Sequence, residues 1–203
     1  MKHSRLHDQH QQLGATFEDV TGWSVPAHFG DASAEHAAVR NSVGIADLSH
    51  RGKMRVTGDD RIKWLQSIIS NDILPLQPGQ GRYSSFLTHK GKMLGYFRVY
   101  VQSDAVWIED VGEVGEATFQ ALRKFLLYGT KAKMENCAES WGLLLVSGPK
   151  SADVVSAAFG YFNPGMVAAL WNGAKAIASP RLAGSAYMEA SGEHGRLQRS
   201  VVA

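Results

Sequence analysis

Between residues 53 and 136 the spacing of apolar positions switches between strand-like and helix-like periods, and the order of those switches restricts the fold. Residues 53–57 read as a strand. Gly58-Asp59-Asp60 follows, with two carboxylates placed to cap a helix whose buried stripe is Ile62, Leu65, Ile68 and Ile69. That helix ends at Ser70-Asn71-Asp72, and Pro75, Pro78, Gly79 and Gly81 mark a loop. Residues 83–88 form the next strand, 89–92 a hairpin turn in which Gly91 can take a positive φ, and 93–102 the return strand. Ser103-Asp104 turns into a strand at 105–109. A helix over 114–127 points Phe119, Leu122 and Leu126 inward, and 131–136 returns as an edge strand. The resulting order, β-α-β-β-β-α-β, neither alternates strictly nor segregates. It predicts an α+β domain, an antiparallel sheet with helices on one face.

The flanking sequence is less regular. Leu6, Gln9, His10 and Leu13 have helical spacing, with Gly14 as a stop. Residues 13–52 then mix apolar, polar and glycine positions, a pattern suited to shaping a site rather than building a plain layer. Within it, Asp31 or Ser33 can cap a helix over 34–42, with Gly44 as its exit. Residues 141–146 form an apolar strand, Gly148-Pro149-Lys150 breaks it, and 151–159 form a helix. Weaker strands fall at 176–179 and 186–189, and the tail beyond Glu189 offers little to bury.

Bulk properties exclude several classes. A chain of 203 residues can bury a real core. A net charge of +2 without a Lys/Arg block gives no reason to expect nucleic acid. No apolar run approaches a membrane span, and the first eight residues lack the apolar centre of a signal peptide. The single cysteine, Cys137, rules out an internal disulfide and any zinc site of several thiolates. A cytoplasmic protein with no membrane association is expected.

Local chemistry yields no reaction. His3, His7 and His10 can share a helix face, but no carboxylate or thiol completes a metal site, so no metal is expected. Gly112-Glu113-Val114-Gly115 lacks the third glycine of a dinucleotide fingerprint and the Gly-Lys-Ser/Thr of a P-loop. Ser49 and His50 are neighbours that a strand would point to opposite faces, a poor nucleophile–base pair. Asn71-Asp72 reads as a helix terminator, and Cys137 as an inert thiol at a strand end.

Several motifs in fixed order resemble the glycine cleavage T-protein family (GcvT), the tetrahydrofolate-dependent aminomethyltransferases. They are Leu13-Gly14-Ala15, Gly22-Trp23 with Pro26, Glu35-His36 with Ala38-Val39-Arg40, Gly44, and Asp47-Leu48-Ser49-His50 with Gly52. Asn71-Asp72, Tyr83, Gly91, Val99-Tyr100 and Gly148-Pro149-Lys150 continue the match, which covers roughly residues 6 to 160. The resemblance implies a GcvT-like folate-binding fold of two intertwined antiparallel-sheet domains. Residues 1–52 with 138–203 would form the first domain and 53–137 the inserted second.

Two departures qualify it. The T-protein strand after the glycine turn carries an acidic pair beside the reacting pterin nitrogens, and here the pair reads Gly95-Tyr96. A tyrosine, with a reference pKa of about 10, is neutral at pH 7 and cannot replace that charge. The turn Lys90-Gly91-Lys92 and the missing acids resemble the YgfZ-like branch, whose members bind tetrahydrofolate and assist iron–sulfur enzymes, although its Lys-Gly-Cys-Tyr motif is absent. The second departure is length. The family's C-terminal barrel has no counterpart, and its later folate-contacting segment finds only a faint echo in Arg181-Leu182-Ala183-Gly184 and Tyr187-Met188-Glu189. A truncated product or a short subunit is expected.

On this resemblance Tyr83, Tyr96 and Arg98 line a tetrahydrofolate pocket, with Asn71 and Asp110 as polar contacts and no catalytic residue assigned. A protein partner or client enzyme is implied. The alternatives are an aminomethyltransferase in which Asp72 or Asp110 supplies the missing carboxylate, and a subunit without a ligand.

Overall fold

The computed structural model describes residues 1–111, 115–159, 169–171, 174–178 and 185–190. Residues 112–114, 181–184 and the tail 191–203, on which parts of the sequence reading fall, lie outside the described residues. The chain divides into two compact units, Met1–His50 with Ser140–Ala203, and Arg51–Glu139.

The first unit contains β1 (Lys2–His3), α1 (His7–Gln12), β2 (Thr16–Val20), β3 (Trp23–His28), α2 (Ala32–Asn41) and β4 (Gly44–Asp47). The irregular segment 13–52 is thus mostly regular structure. Thr21 and Gly22 both take positive φ, 51° and 84°, the geometry that lets two residues join twisted strands. The hairpin β2–β3 so formed adds β1 in parallel, giving the order β1-β3-β2. At α2 the choice between two caps resolves to Asp31, whose carboxylate accepts the backbone N–H of Ser33 and Ala34. The same unit continues with β10 (Gly142–Ser147), α5 (Ser151–Phe159), β11 (Ala169–Trp171), β12 (Ala174–Ala178) and β13 (Ser185–Ala190). Its second sheet is antiparallel, ordered β11-β12-β13-β10-β4.

The second unit follows the expected order: β5 (Lys53–Thr57), α3 (Arg61–Gln66), β6 (Gly81–Leu87), β7 (Met93–Val101), β8 (Ala105–Asp110), α4 (Gly115–Arg123) and β9 (Lys133–Asn136). The sheet is antiparallel, ordered β6-β7-β8-β5-β9, with β9 at an edge as its sequence suggests. Strand alternation sorts its residues onto two faces. Met54, Val56, Phe97, Val99, Val106 and Ile108 pack with Trp64, Leu65, Phe119 and Leu122 in one buried core. The other face carries Lys53, Tyr83, Tyr96, Arg98, Tyr100 and Glu109.

Helix ends and caps differ from expectation at several points: α3 stops at Gln66 rather than Ser70, although Ile68 and Ile69 still pack on the core. Asp60 occupies the N-cap position of α3 without capping it, because its Oδ2 instead accepts the backbone N–H of Lys131 at 2.8 Å. Helix α4 stops at Arg123 although apolar residues continue to Leu127. The Trp64 indole donates to the Phe125 carbonyl at 2.9 Å, capturing a backbone acceptor in the turns that follow. Leu126 still packs on the core, as expected. Phe125 and Leu127 are exposed.

Candidate functional site

The polar face of the second unit is organised in rows across strands. Tyr83 of β6 lies directly opposite Arg98 of β7, Arg98 opposite Glu109 of β8, and Glu109 opposite Lys53 of β5. One position along, Ser85 is opposite Tyr96. The Tyr83 and Tyr96 rings are stacked, with centroids 5.5 Å apart and planes 10° from parallel. The Arg98 guanidinium carbon lies 4.7 Å from the Tyr83 ring centroid. Arg98 is buried, whereas Tyr96 is 40% exposed, so the row runs from a shielded cation to an accessible ring.

Glu109 anchors this arrangement. Its Oε1 accepts from Arg51 Nη1 at 3.2 Å. Its Oε2 accepts the Tyr100 hydroxyl at 3.0 Å and pairs with Arg98 Nη1 at 3.6 Å. Burial pushes the Tyr100 phenol well above its usual range, and the Glu109 carboxylate adds to that, so Tyr100 is a neutral donor here. Lys53 Nζ donates to the Arg51 carbonyl at 2.9 Å. Sequence reasoning overlooked Glu109, Arg51 and Lys53. The signal for Lys53 and Glu109 was the alternation of polar or amphipathic residues at 53 and 55, 96 to 102, and 107 and 109; nothing in the pattern marked Arg51.

Of the five residues expected to meet a ligand, four are connected. Asn71 Nδ2 donates to the Tyr83 carbonyl at 2.9 Å, Tyr83 contacts both Tyr96 and Arg98, and Tyr96 and Arg98 share a face. Asn71 does not terminate α3, which ends at Gln66; it lies in the turns beyond, where its Oδ1 accepts the Asp72 N–H at 3.0 Å. Asp110 stands apart: it is fully buried and opposite Phe97, and strand alternation puts it on the helix-covered side. Ser85, opposite Tyr96, has its Oγ 2.9 Å from that of Ser70.

The neutral pair at 95 and 96 has a packing reason at its first member. A Cβ on Gly95 would lie 2.8 Å from Thr118 Cγ2 of α4, so that helix occupies the space a side chain would need. Tyr96, on the other face, is free of that constraint.

The first unit has its own polar cluster. Asp47 Oδ2 accepts Ser4 Oγ at 2.7 Å and lies 3.0 Å from His10 Nε2, while Oδ1 accepts the Ser49 N–H at 2.9 Å. Burial alone would raise the Asp47 carboxyl, but the hydrogen bonds from His10, Ser49 and Ser4 outweigh it and hold the group below its usual range. Ser49 Oγ in turn accepts the Leu143 N–H at 3.0 Å. The Asp47-Leu48-Ser49-His50 motif therefore includes structural bonds made by Asp47 and Ser49. Among the described residues no group of three His, Cys, Asp or Glu side chains could hold a metal ion, and no helix is long and apolar enough to cross a membrane.

The sequence profile of the GCVT N-terminal domain matches residues 6–166. The chain belongs to the GCVT N-terminal domain family. Similar proteins include the aminomethyltransferase of Deinococcus deserti, 30% identical over 155 residues, 76% of this chain and 43% of that one. The probable aminomethyltransferase of Halobacterium salinarum is 31% identical over 166 residues, covering 79% and 46%. This GCVT-family chain thus spans less than half the length of those relatives. The crystal structure of glycine cleavage system aminomethyltransferase T from Bartonella henselae matches with a TM-score of 0.82 at 21% identity, covering 94% of this chain and 54% of that one. Heterotetrameric sarcosine oxidase from Corynebacterium sp. U-96 matches less closely, with a TM-score of 0.52 at 14% identity, covering 79% and 83%. At those identities the likeness shows the fold, which is the GcvT-like α+β fold expected from the sequence.

Proposed function

We propose that this GCVT-family domain binds tetrahydrofolate on its Tyr83–Tyr96 surface and lacks the carboxylate that aminomethyl transfer uses there. Its role is auxiliary, of the YgfZ-like kind, in one-carbon or iron–sulfur enzyme metabolism, with a protein partner or client. The observation that carries this reading is the 40% exposed Tyr96 stacked on Tyr83, which the resemblance sets where the T-protein has its second acid. The surface suits a flat heterocycle: the aromatic pair offers a stacking platform, and Ser70, Ser85 and Asn71 offer neutral hydrogen-bonding groups. Bound tetrahydrofolate supplies the ring nitrogens that carry a one-carbon unit. Glu109, the carboxylate nearest Arg98 on that face, is buried and engaged by Arg51, Arg98 and Tyr100.

Titration of the protein with tetrahydrofolate, followed by calorimetry, tests the reading. Saturable binding is expected below about millimolar ligand, weakened about tenfold by Tyr83→Ala through the lost stacking. No saturable binding at millimolar concentration would overturn it.

The names of the relatives favour a second reading, a working aminomethyltransferase. Of the two aspartates considered for it, Asp72 is exposed and Asp110 fully buried. A glycine-cleavage assay with a lipoyl carrier protein separates the readings. We expect no turnover; turnover that disappears in Asp72→Ala would establish the second.

A further inference from the structure

The tyrosine pair shares its sheet face with two buried charged groups, Arg98 and Glu109. Arg98 is bracketed in register by Tyr83 on one side and Glu109 on the other. Glu109 in turn accepts hydrogen bonds from Arg51 at 3.2 Å and Tyr100 at 3.0 Å and forms an ion pair with Arg98 at 3.6 Å. A carboxylate with this many partners cannot turn away without breaking charge-assisted bonds, and burial spares the pair from screening by solvent. The guanidinium is therefore confined, and its position over the Tyr83 ring, 4.7 Å from the centroid, limits the movement of that ring. Tyr83 then limits Tyr96, because the two rings are stacked nearly parallel.

We infer that Arg98 is the positioning residue of the Tyr83–Tyr96 surface, with Glu109 holding it, so that a planar ligand meets a ring pair already set parallel. Preorganisation of this kind strengthens binding by removing the entropy loss of ordering the rings on contact. The choice of tetrahydrofolate as ligand rests on the reading above; the ordering of the rings does not.

Arg98→Lys keeps a cation for Glu109 and removes the planar face. Arg55→Lys is the matched control: Arg55 also lies against an aromatic ring, 6.0 Å from the Trp107 centroid, but pairs with the exposed Asp104 away from the tyrosines. Two measurements are made on each variant and on Glu109→Gln. In the ligand-free protein, NMR of ring-labelled tyrosine is expected to show the Tyr83 and Tyr96 signals shifted in Arg98→Lys and Glu109→Gln and unmoved in Arg55→Lys. In titrations, Arg98→Lys is expected to raise the Kd for tetrahydrofolate about tenfold and Arg55→Lys less than about twofold, with both thermal midpoints close to the parent's. Tyrosine signals unchanged in both Arg98→Lys and Glu109→Gln overturn the inference whatever the ligand does. An unchanged Kd in Arg98→Lys, against a parent that binds, overturns it as well. A parent that fails to bind removes the tetrahydrofolate reading, while the ring signals still decide the positioning claim.

Discussion

Gly52→Val is expected to destabilise the second unit by about 3–4 kcal/mol, more than a typical surface substitution by an order of magnitude. A Cβ on Gly52 would lie 2.5 Å from the Cα of Gly115, the first residue of α4, and 3.1 Å from Asp110 Cβ. The obstacle is backbone, which no change of rotamer can move. The Gly52 carbonyl also accepts the Asp110 N–H at 2.8 Å, so the strand end cannot slide aside without losing a ladder bond. Helix α4 must lift instead, and it carries Thr118, Phe119 and Leu122, its buried side chains. A fall of roughly 10–30 °C in the thermal midpoint is expected for a unit of this size, read by circular dichroism. Gly115→Ala approaches the same contact from the other side, so combining it with Gly52→Val should add less than the sum of the two. Gly79→Val is the comparison: that glycine has a φ of +91° but no atom near its missing Cβ. If Gly52→Val melts no earlier than Gly79→Val, close approach of the two backbones is not what seats α4.

What the sequence revealed follows from which forces are local. The order of elements in 53–136 was legible because each strand and helix of that unit shows its own apolar period, and the sheet face shared by Tyr96 and Arg98 follows from parity alone. The β2–β3 hairpin was not legible, because only Trp23 and Ser24 of its residues are buried and Thr16–Val20 shows no clean alternation. Its signal was the turn, Asp19-Val20-Thr21-Gly22, where the Asp19 carboxylate accepts the Gly22 N–H at 2.8 Å. Asp60 was assigned to the nearer of two possible partners, and the structure uses the distant one, Lys131. The choice of Asp110 over Glu109 is a question of register: adjacent positions on a strand face opposite sides, and which one meets Arg98 depends on how β7 pairs with β8. Spacing within one strand cannot report that pairing.

Asp47→Asn should lower the stability of the first unit by about 2 kcal/mol at neutral pH, and the deficit should shrink in acid. The side chain of Asp47 is only 2% exposed, and its charge is held by hydrogen bonds rather than by water. Its carboxyl is depressed in the folded state, so folding favours the ionised form. The sign follows: the stabilisation is fully present above the unfolded value near 3.8 and is lost as pH falls through the lower folded value. Parent and variant should therefore begin to converge below about pH 4. The consequence is most visible at the N-terminus. Helix α1 buries no residue, so the short segment it belongs to depends on Ser4 and His10 reaching Asp47, with β1 pairing through two residues. In the variant, amide exchange across residues 7–13 should accelerate by at least about tenfold, the factor that corresponds to 1.4 kcal/mol, while the Arg51–Glu139 unit exchanges as before. A parent–variant gap that is as wide at pH 3 as at pH 7 would mean that the ionised carboxylate is not the clamp, and that the shape of the side chain alone holds the segment in place.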